Sequence, residues 1–287
     1  MDFFTEHNMR SSRRRALTNK LLDFLCVAIS FAALIPLFSI VILVVGKGLP
    51  LLRPQVFTQL PPAAGITGGG FGNAVVGTAT MVAIALAIAA PLGILAAIYI
   101  TEYNASGKLA AVVRFVAKML TGIPAIICGL FAYAVIVLTT GKFSAWAGGV
   151  ALSILILPTI LLTAEQGLLS VLRSYREASF GLGATTFQTI WRIILPEATP
   201  AILTGIMLSL ARAAGETAPL IFTALFSQYW MRSFFALEPT ASLSVLIYNF
   251  ATMPFDHQVS LAWTASLILM ALVTFTNITA QLAFGKK

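Results

Sequence analysis

Arg212 and Glu216 stand four residues apart in an otherwise apolar run, so a helix would carry both on one face. They are the only full charges that the sequence places deep within an apolar span. Each costs about 2.5–3.5 kcal/mol at the centre of a membrane helix on insertion scales. Residues of this kind therefore face the interior of a bundle and mark a pathway. A guanidinium offers a planar fork of parallel donors that matches an oxyanion. The nearby carboxylate would hold that fork between transport events and, when protonated, would donate to the anion itself. The plainer reading is an ion pair that only fixes helix packing. Thr217 and Pro219 follow at once. They either break the helix, freeing carbonyls to line a path, or simply kink it.

Composition places these charges in a membrane. Hydrophobic residues make up 59% of the 287 and charged residues 10%, with a mean hydropathy of +0.93. Ordinary soluble domains carry roughly 25% charged residues, and so little polar surface would not keep a soluble fold of this size in solution. Apolar runs of about 20 residues predict six spans: Leu21–Val45, Ala74–Ile100, Val112–Thr140, Ala145–Ala164, Thr199–Phe226 and Val259–Phe284. The first is too long, and too charged at both flanks, for a cleaved signal peptide, so it reads as a retained helix. The expected fold is all-α: a polytopic membrane protein with a basic cytoplasmic segment at 1–20 and a transmembrane part at 21–287.

The basic residues set the orientation. With the N-terminus in the cytoplasm, Arg10, Arg13, Arg14, Arg15, Lys20, Lys108, Arg114, Lys118, Arg173, Arg176, Arg192, Lys286 and Lys287 fall inside. Lys47, Arg53, Lys142 and Arg232 fall outside, and Arg212 lies within a span. Positive-inside bias then puts both termini in the cytoplasm. The same spread over several loops excludes a nucleic-acid face, which would concentrate the net charge of +8. Cys26 and Cys128 lie in apolar runs as packing residues, without metal-ligand or disulfide spacing. His7 and His257 are isolated. No metal site and no catalytic cluster is expected.

Two external segments are long. Gly46–Asn73 is rich in Pro and Gly, and Ser227–Gln258 brings Tyr229, Trp230 and Phe234 together. Such aromatics suit the headgroup level or a docking surface for a soluble partner. Asp23 and Glu102 stand near membrane boundaries, either solvated or paired. Asn277 and Thr279 in the last span fit contact with solute or, as is usual for such residues, hydrogen bonding between helices.

The long internal segment, Glu165–Ala198, has its own pattern. Glu177 is expected near the start of a short helix, where the dipole favours a carboxylate. Gly181 and Gly183 permit a turn of positive φ, Thr185 or Thr186 would cap a second short helix, and Pro196 would stop that helix before the next span. Phe180, Leu182, Phe187, Ile190 and Trp191 would be apolar knobs, fit either to enter a groove on a partner or to lie on the lipid surface.

Within that segment Glu177, Ala178, Gly183, Ile193, Leu195 and Pro196 keep the spacing E-A-A-x3-G-x9-I-x-L-P, with Ser179 in place of the second Ala. This resembles the EAA loop of membrane subunits of bacterial ATP-driven importers. Ala211-Arg212-Ala213-Ala214-Gly215-Glu216-Thr217-Ala218-Pro219-Leu220 resembles a segment of the permeases of phosphate importers, closer to the PstA type than to PstC. Pro91-Leu92-Gly93, Thr101-Glu102-Tyr103, Gly122-Ile123-Pro124 and Leu157-Pro158-Thr159 extend the likeness over most of the chain.

The resemblance implies a type I importer permease, with its core at about 74–284, in the bacterial inner membrane. It would form a heterodimer with a PstC-type permease. A dimer of ATPase subunits would dock at Glu177, Ala178, Ser179, Gly183, Ile193, Leu195 and Pro196. A periplasmic or lipid-anchored binding protein would deliver phosphate to a path including Arg212, Glu216 and Thr217. The chain would hold no cofactor, ATP being bound by the partner. In keeping with this, Gly141-Lys142 lacks the upstream Gly of a phosphate loop, and Gly107-Lys108 is followed by Leu109. A permease for another oxyanion, molybdate or sulfate, is the alternative.

Overall fold

The computed structural model describes residues 3–284, with side chains from Thr18 to Thr279 and at Leu282. Among them every regular element is helical. Lys286 and Lys287, and the side chains of His7, Arg10, Arg13, Arg14 and Arg15, lie outside the described set. The chain divides into two compact units, Met1–Lys47 and Gly48–Lys287.

The first unit is a single helix, α1 (Phe3–Gly48). Leu21, Phe24, Phe31, Ile35, Phe38 and Ile42 are all exposed. A helix that is apolar all round in this way needs lipid or protein on every side.

In the second unit a short α2 (Gln55–Thr58) precedes α3 (Gly72–Ile98), which runs on through a wide π turn at Tyr99–Tyr103. Then come α4 (Lys108–Thr121), α5 (Ala125–Ala132), α6 (Leu138–Thr140) and α7 (Ala145–Ser170). The segment after α7 folds into α8 (Arg173–Gly181) and α9 (Thr186–Thr189), which leads through a π turn at Ile190–Ile194 into α10 (Leu195–Gly215); a further π turn, Tyr133–Val137, joins α5 to α6. Last are α11 (Ala218–Thr223), α12 (Leu243–Ala251) and α13 (Asp256–Phe284). Five helices are long and apolar enough to cross a membrane, or six if the bent α4–α5 pair counts as one span.

Three of the expected spans differ from what is observed. Val112–Thr140 is not one helix: α4 and the stretch Ala125–Thr140 meet at 106°. Pro124 has no N–H to continue the ladder, and it drives Ile123 out of the helical region. On α4, Leu109, Val112, Phe115, Val116 and Met119 are exposed, while Ala110 and Ala117 are buried. Arg114 and Lys118 thus belong to an amphipathic arm rather than to a spanning segment. The fourth span continues to Ser170, which takes Glu165 into the helix.

The fifth span begins earlier and ends sooner than Thr199–Phe226, running from Thr186 to Gly215. Pro196 does not stop it. The π turn at Ile190–Ile194 shifts the ladder by one residue, so that the Leu195 N–H bonds to the Ile190 carbonyl. Pro196 then falls in the first turn that follows, where a missing N–H is harmless.

The core lies along α7, whose Ala145, Ala147, Ala151, Leu152, Ile156 and Ile160 are buried. Small residues let α3 come close, and Met81 and Ile84 fill the seam. The external segment after Ser227 is less loose than its composition suggests. Its α12 buries Leu243, Leu246 and Phe250 with Phe71 and Leu261. Cys128 is buried as expected, whereas Cys26 is exposed and packs nothing.

The short α11 is held at both ends. Its last carbonyl, on Thr223, accepts from the Ser144 N–H at 3.1 Å, and Ser144 caps α7. Near its start Pro219 lies against Gly129 of α5, where a Cβ would stand 2.5 Å from the Pro219 Cα. Gly129→Ala must force these backbones apart, and overpacking of this kind costs about 1–3 kcal/mol. A lowered melting temperature of the detergent-purified protein is expected; an unchanged one would contradict this packing.

Candidate functional site

The long helix that contains Arg212 stops at Gly215, and the chain crosses Glu216 in an extended conformation before α11 begins. The break at Glu216–Thr217 is therefore real and is more than a kink. Such a break leaves main-chain groups in need of partners. The Glu216 carbonyl accepts from the Ser244 hydroxyl of α12 at 2.7 Å, and the Glu216 N–H bonds back to Ala213 at 3.4 Å.

Beside the break lies an open cavity of about 630 Å³, lined by Arg212, Glu216, Thr217, Ser244, Ser266 and Met270 among others. All three residues expected on the pathway thus line one space. Arg212 Nε stands 3.5 Å from Glu216 Oε1, and the two side chains are 40% and 21% exposed. No N–H of the Arg212 guanidinium makes a hydrogen bond to any described residue. Ser244 and Ser266 were not singled out from the sequence. Lone serines in apolar helices are common, and only the fold brings these two to the cavity.

Arg114 and Arg176 behave in the opposite way. Arg114 on α4 pairs with Glu165 of α7 and donates to the carbonyls of Ala105 (3.0 Å) and Ile100 (2.7 Å) at the end of α3. Arg176 on α8 grips Glu102 at 2.7 and 3.2 Å and donates to the carbonyls of Val171 (2.7 Å) and Leu168 (2.9 Å) at the end of α7. Glu102 is therefore paired. Arg212 and Glu216 are also not the only charges held inside, since Glu165 is buried. Partners 51 residues apart leave no mark on a linear reading.

In the E-A-A-like segment, Thr185 caps α9 with a reciprocal box: its hydroxyl accepts from Gln188 N, and Gln188 Oε1 accepts from Thr185 N. Gly183 takes a positive φ of +78°, whereas Gly181 does not. Glu177 lies mid-helix on α8 rather than near its start, and pairs with Arg173 at 3.1 Å on the surface. Ser179 is buried and shares a 2.8 Å hydrogen bond with Thr189, tying α8 to α9. Phe180, Leu182, Phe187 and Trp191 are exposed, as expected of apolar knobs. Ile190 is buried in the core and is not one of them. Ala178 and Pro196 are exposed, while Ile193 and Leu195 are partly buried.

Elsewhere, Trp146 of α7 holds the external aromatic segment. Its Nε1 donates to the Phe234 carbonyl at 3.1 Å, and its ring meets Phe234 edge-on at 5.5 Å. Tyr229 and Trp230 remain exposed. The Nε2 of His257 lies 2.9 Å from the backbone of Gly68. The Thr279 hydroxyl bonds within its own helix, to Thr276 at 2.9 Å, rather than across helices.

Residues 89–283 match the family described as binding-protein-dependent transport system inner membrane component. The phosphate transport system permease protein PstA of Yersinia pestis is 37% identical, with 100% of this chain and 98% of that protein covered. The PstA of Pasteurella multocida is 38% identical over 95% and 96% of the two chains. The chain belongs to the PstA permease family. A probable PstA of the archaeon Methanocaldococcus jannaschii is 34% identical over 95% of each chain. Among solved structures, the MetNI methionine ABC transporter matches at a TM-score of 0.59 and 20% identity, covering 74% of this chain and 91% of that one. A bacterial importer of the acidic polysaccharide alginate matches at 0.58 and 19%, covering 93% and 99%. The fold of this PstA-family chain is that of a type I ABC importer permease in the inner membrane.

Removal of one partner from a buried pair strands the other. Arg114→Ala leaves the Glu165 carboxylate, 6% exposed at its side chain, without its cation. The expected loss is about 3 kcal/mol, seen as a lower melting temperature and a lower folded yield. Arg173→Ala, which removes a surface pair, is the matched control and should shift stability by less than about 1 kcal/mol.

Proposed function

We propose that this chain is the membrane-spanning permease subunit of an ATP-driven phosphate importer, and that Arg212 binds the phosphate in transit. The observation that carries the reading is the Arg212 guanidinium: it faces Glu216 at 3.5 Å without hydrogen-bonding any described residue, at a helix break that opens on a cavity. The relatives named as phosphate transport permeases support phosphate as the anion. Planar, bidentate recognition suits a tetrahedral oxyanion better than a point charge does. Glu216 would repel a dianion if it stood alone. At 3.5 Å it holds Arg212 loosely, ready to exchange that contact for substrate. Thr217 and the two serines supply neutral donors around the same space.

In this reading the chain pairs with a second, PstC-type permease, so that the path runs between them. A binding protein delivers phosphate from outside, and two ATPase subunits bind from the cytoplasm, where both termini lie. Docking falls to the segment from Glu177 to Pro196. Its support is an exposed rim of Phe180, Leu182, Phe187 and Trp191 on a scaffold of two short helices fixed by the Thr185 cap and the Ser179–Thr189 bond. ATP-driven closure of the partner would move this rim, and the path would face outward and inward in alternation.

The deciding experiment is ATP-dependent uptake of labelled phosphate by proteoliposomes that hold the whole complex. Arg212→Ala should lower uptake by about a hundredfold, the loss of a charge-assisted contact or two, with the complex still assembled. Normal uptake would remove Arg212 from the path, and uptake of molybdate or sulfate in place of phosphate would change the substrate. Glu216→Gln should give a milder defect, or ATP hydrolysis without transport. Glu177→Lys is expected to detach or uncouple the ATPase. Full uptake with the ATPase still bound would exclude docking at that residue.

A further inference from the structure

α8 has two faces with different chemistry. Arg173, Glu177, Ala178 and Phe180 face outward and are exposed, while Arg176 and Ser179, three residues apart, turn inward. The outward Arg173–Glu177 pair has side chains 89% and 67% exposed, and exposed pairs of this kind hold little together. The inward side differs. The Arg176 and Glu102 side chains are only 20% and 9% exposed. The Arg176 guanidinium makes two bonds to the Glu102 carboxylate and one each to the carbonyls of Val171 and Leu168. One planar group thus joins α8 to the ends of both α3 and α7.

Arg114 makes the mirror arrangement. It covers carbonyls at the end of α3 and pairs with a carboxylate on α7, whereas Arg176 covers carbonyls at the end of α7 and pairs with a carboxylate on the π turn of α3. The two crossed contacts lock the ends of α3 and α7 into one body and fasten α8 to it. A wide turn placed where Glu102 must point at α8 agrees with the habit of π turns to mark functional positions.

We propose that Arg176 and Glu102 are positioning residues that transmit movement of the ATPase-facing helix α8 into the transmembrane bundle. This rests on the importer reading above. A force applied to the outward face of α8 reaches α3 through the Arg176–Glu102 pair and α7 through the bonds of the same guanidinium to the Val171 and Leu168 carbonyls. Without that pair, α8 is tied to α7 by the short link at Val171–Leu172 and to the bundle through α9. It can then follow the ATPase while the bundle stays behind.

The test uses the assembled complex and a reporter that is indifferent to the solute. Met270, which lines the Arg212 cavity, is changed to Cys in a chain carrying Cys26→Ser and Cys128→Ala. The rate of maleimide labelling is then measured with and without ATP. With Glu102 and Arg176 intact, ATP should change that rate by about threefold or more. Glu102→Gln, which keeps shape and removes charge, should abolish the change while the ATPase subunit still co-purifies and turns over. Phosphate taken up per ATP should fall by about tenfold. Arg176→Lys keeps the charge but cannot reach the carboxylate and both carbonyls at once, and should lie between.

Unchanged ATP-dependent labelling and uptake in Glu102→Gln would overturn the proposal. So would loss of the ATPase subunit from that variant, since the pair would then hold a docking surface together instead of passing on its motion. If labelling responds to ATP through Glu102 but an anion other than phosphate is carried, the joint stands and the substrate reading falls.

Discussion

Inside hydrocarbon, a main-chain N–H or C=O that finds no partner in the protein finds none. Helix ends and breaks near the membrane must therefore be closed by something, and in this chain arginine does much of that work. Arg114 closes the end of α3, and Arg176 closes the end of α7. Each also takes a carboxylate from the other helix, so one requirement yields both a terminus and a tertiary contact. Arg212 occupies the equivalent place, the last turn of α10, but closes nothing. The Ser244 hydroxyl serves the Glu216 carbonyl there, and the guanidinium turns to the Glu216 carboxylate at 3.5 Å. Among these three arginines the difference is one of donor accounting.

The same requirement explains the π turns. A helix that widens by one residue redirects its side chains without opening its hydrogen-bond ladder. At Tyr99–Tyr103 the widening ends α3 where Glu102 meets α8, and at Ile190–Ile194 it carries the helix past Pro196. Neither is visible in hydropathy, because both keep the apolar content of an ordinary helix.

Periodicity and composition made the membrane class and the approximate number of spans legible. The Thr185 cap and the positive φ of Gly183 followed from local chemistry alone. Legibility failed where hydropathy averages over geometry. A 20-residue window passes over Gly122-Ile123-Pro124, although the chain turns by 106° there. It also runs through Glu216 and Thr217, where the helix has in fact ended. Of the site, Arg212, Glu216 and Thr217 were readable because they are close in sequence. The serines, and the pairs made by Arg114 and Arg176, come from elements distant along the chain that only the fold brings together.

The passage of the helix past Pro196 has a mechanical result. Because the ladder continues there, the residues from Thr186 to Gly215 form a single helix of 30 residues, about 45 Å long at 1.5 Å per residue. One end lies beside α8, and the other carries Arg212. A rod of that length is a lever: a tilt of about 5° at the end beside α8 moves the far end by about 4 Å, and Arg212 travels with the adjoining Glu216. A small angular change beside α8 is thus magnified at the place where the helix breaks.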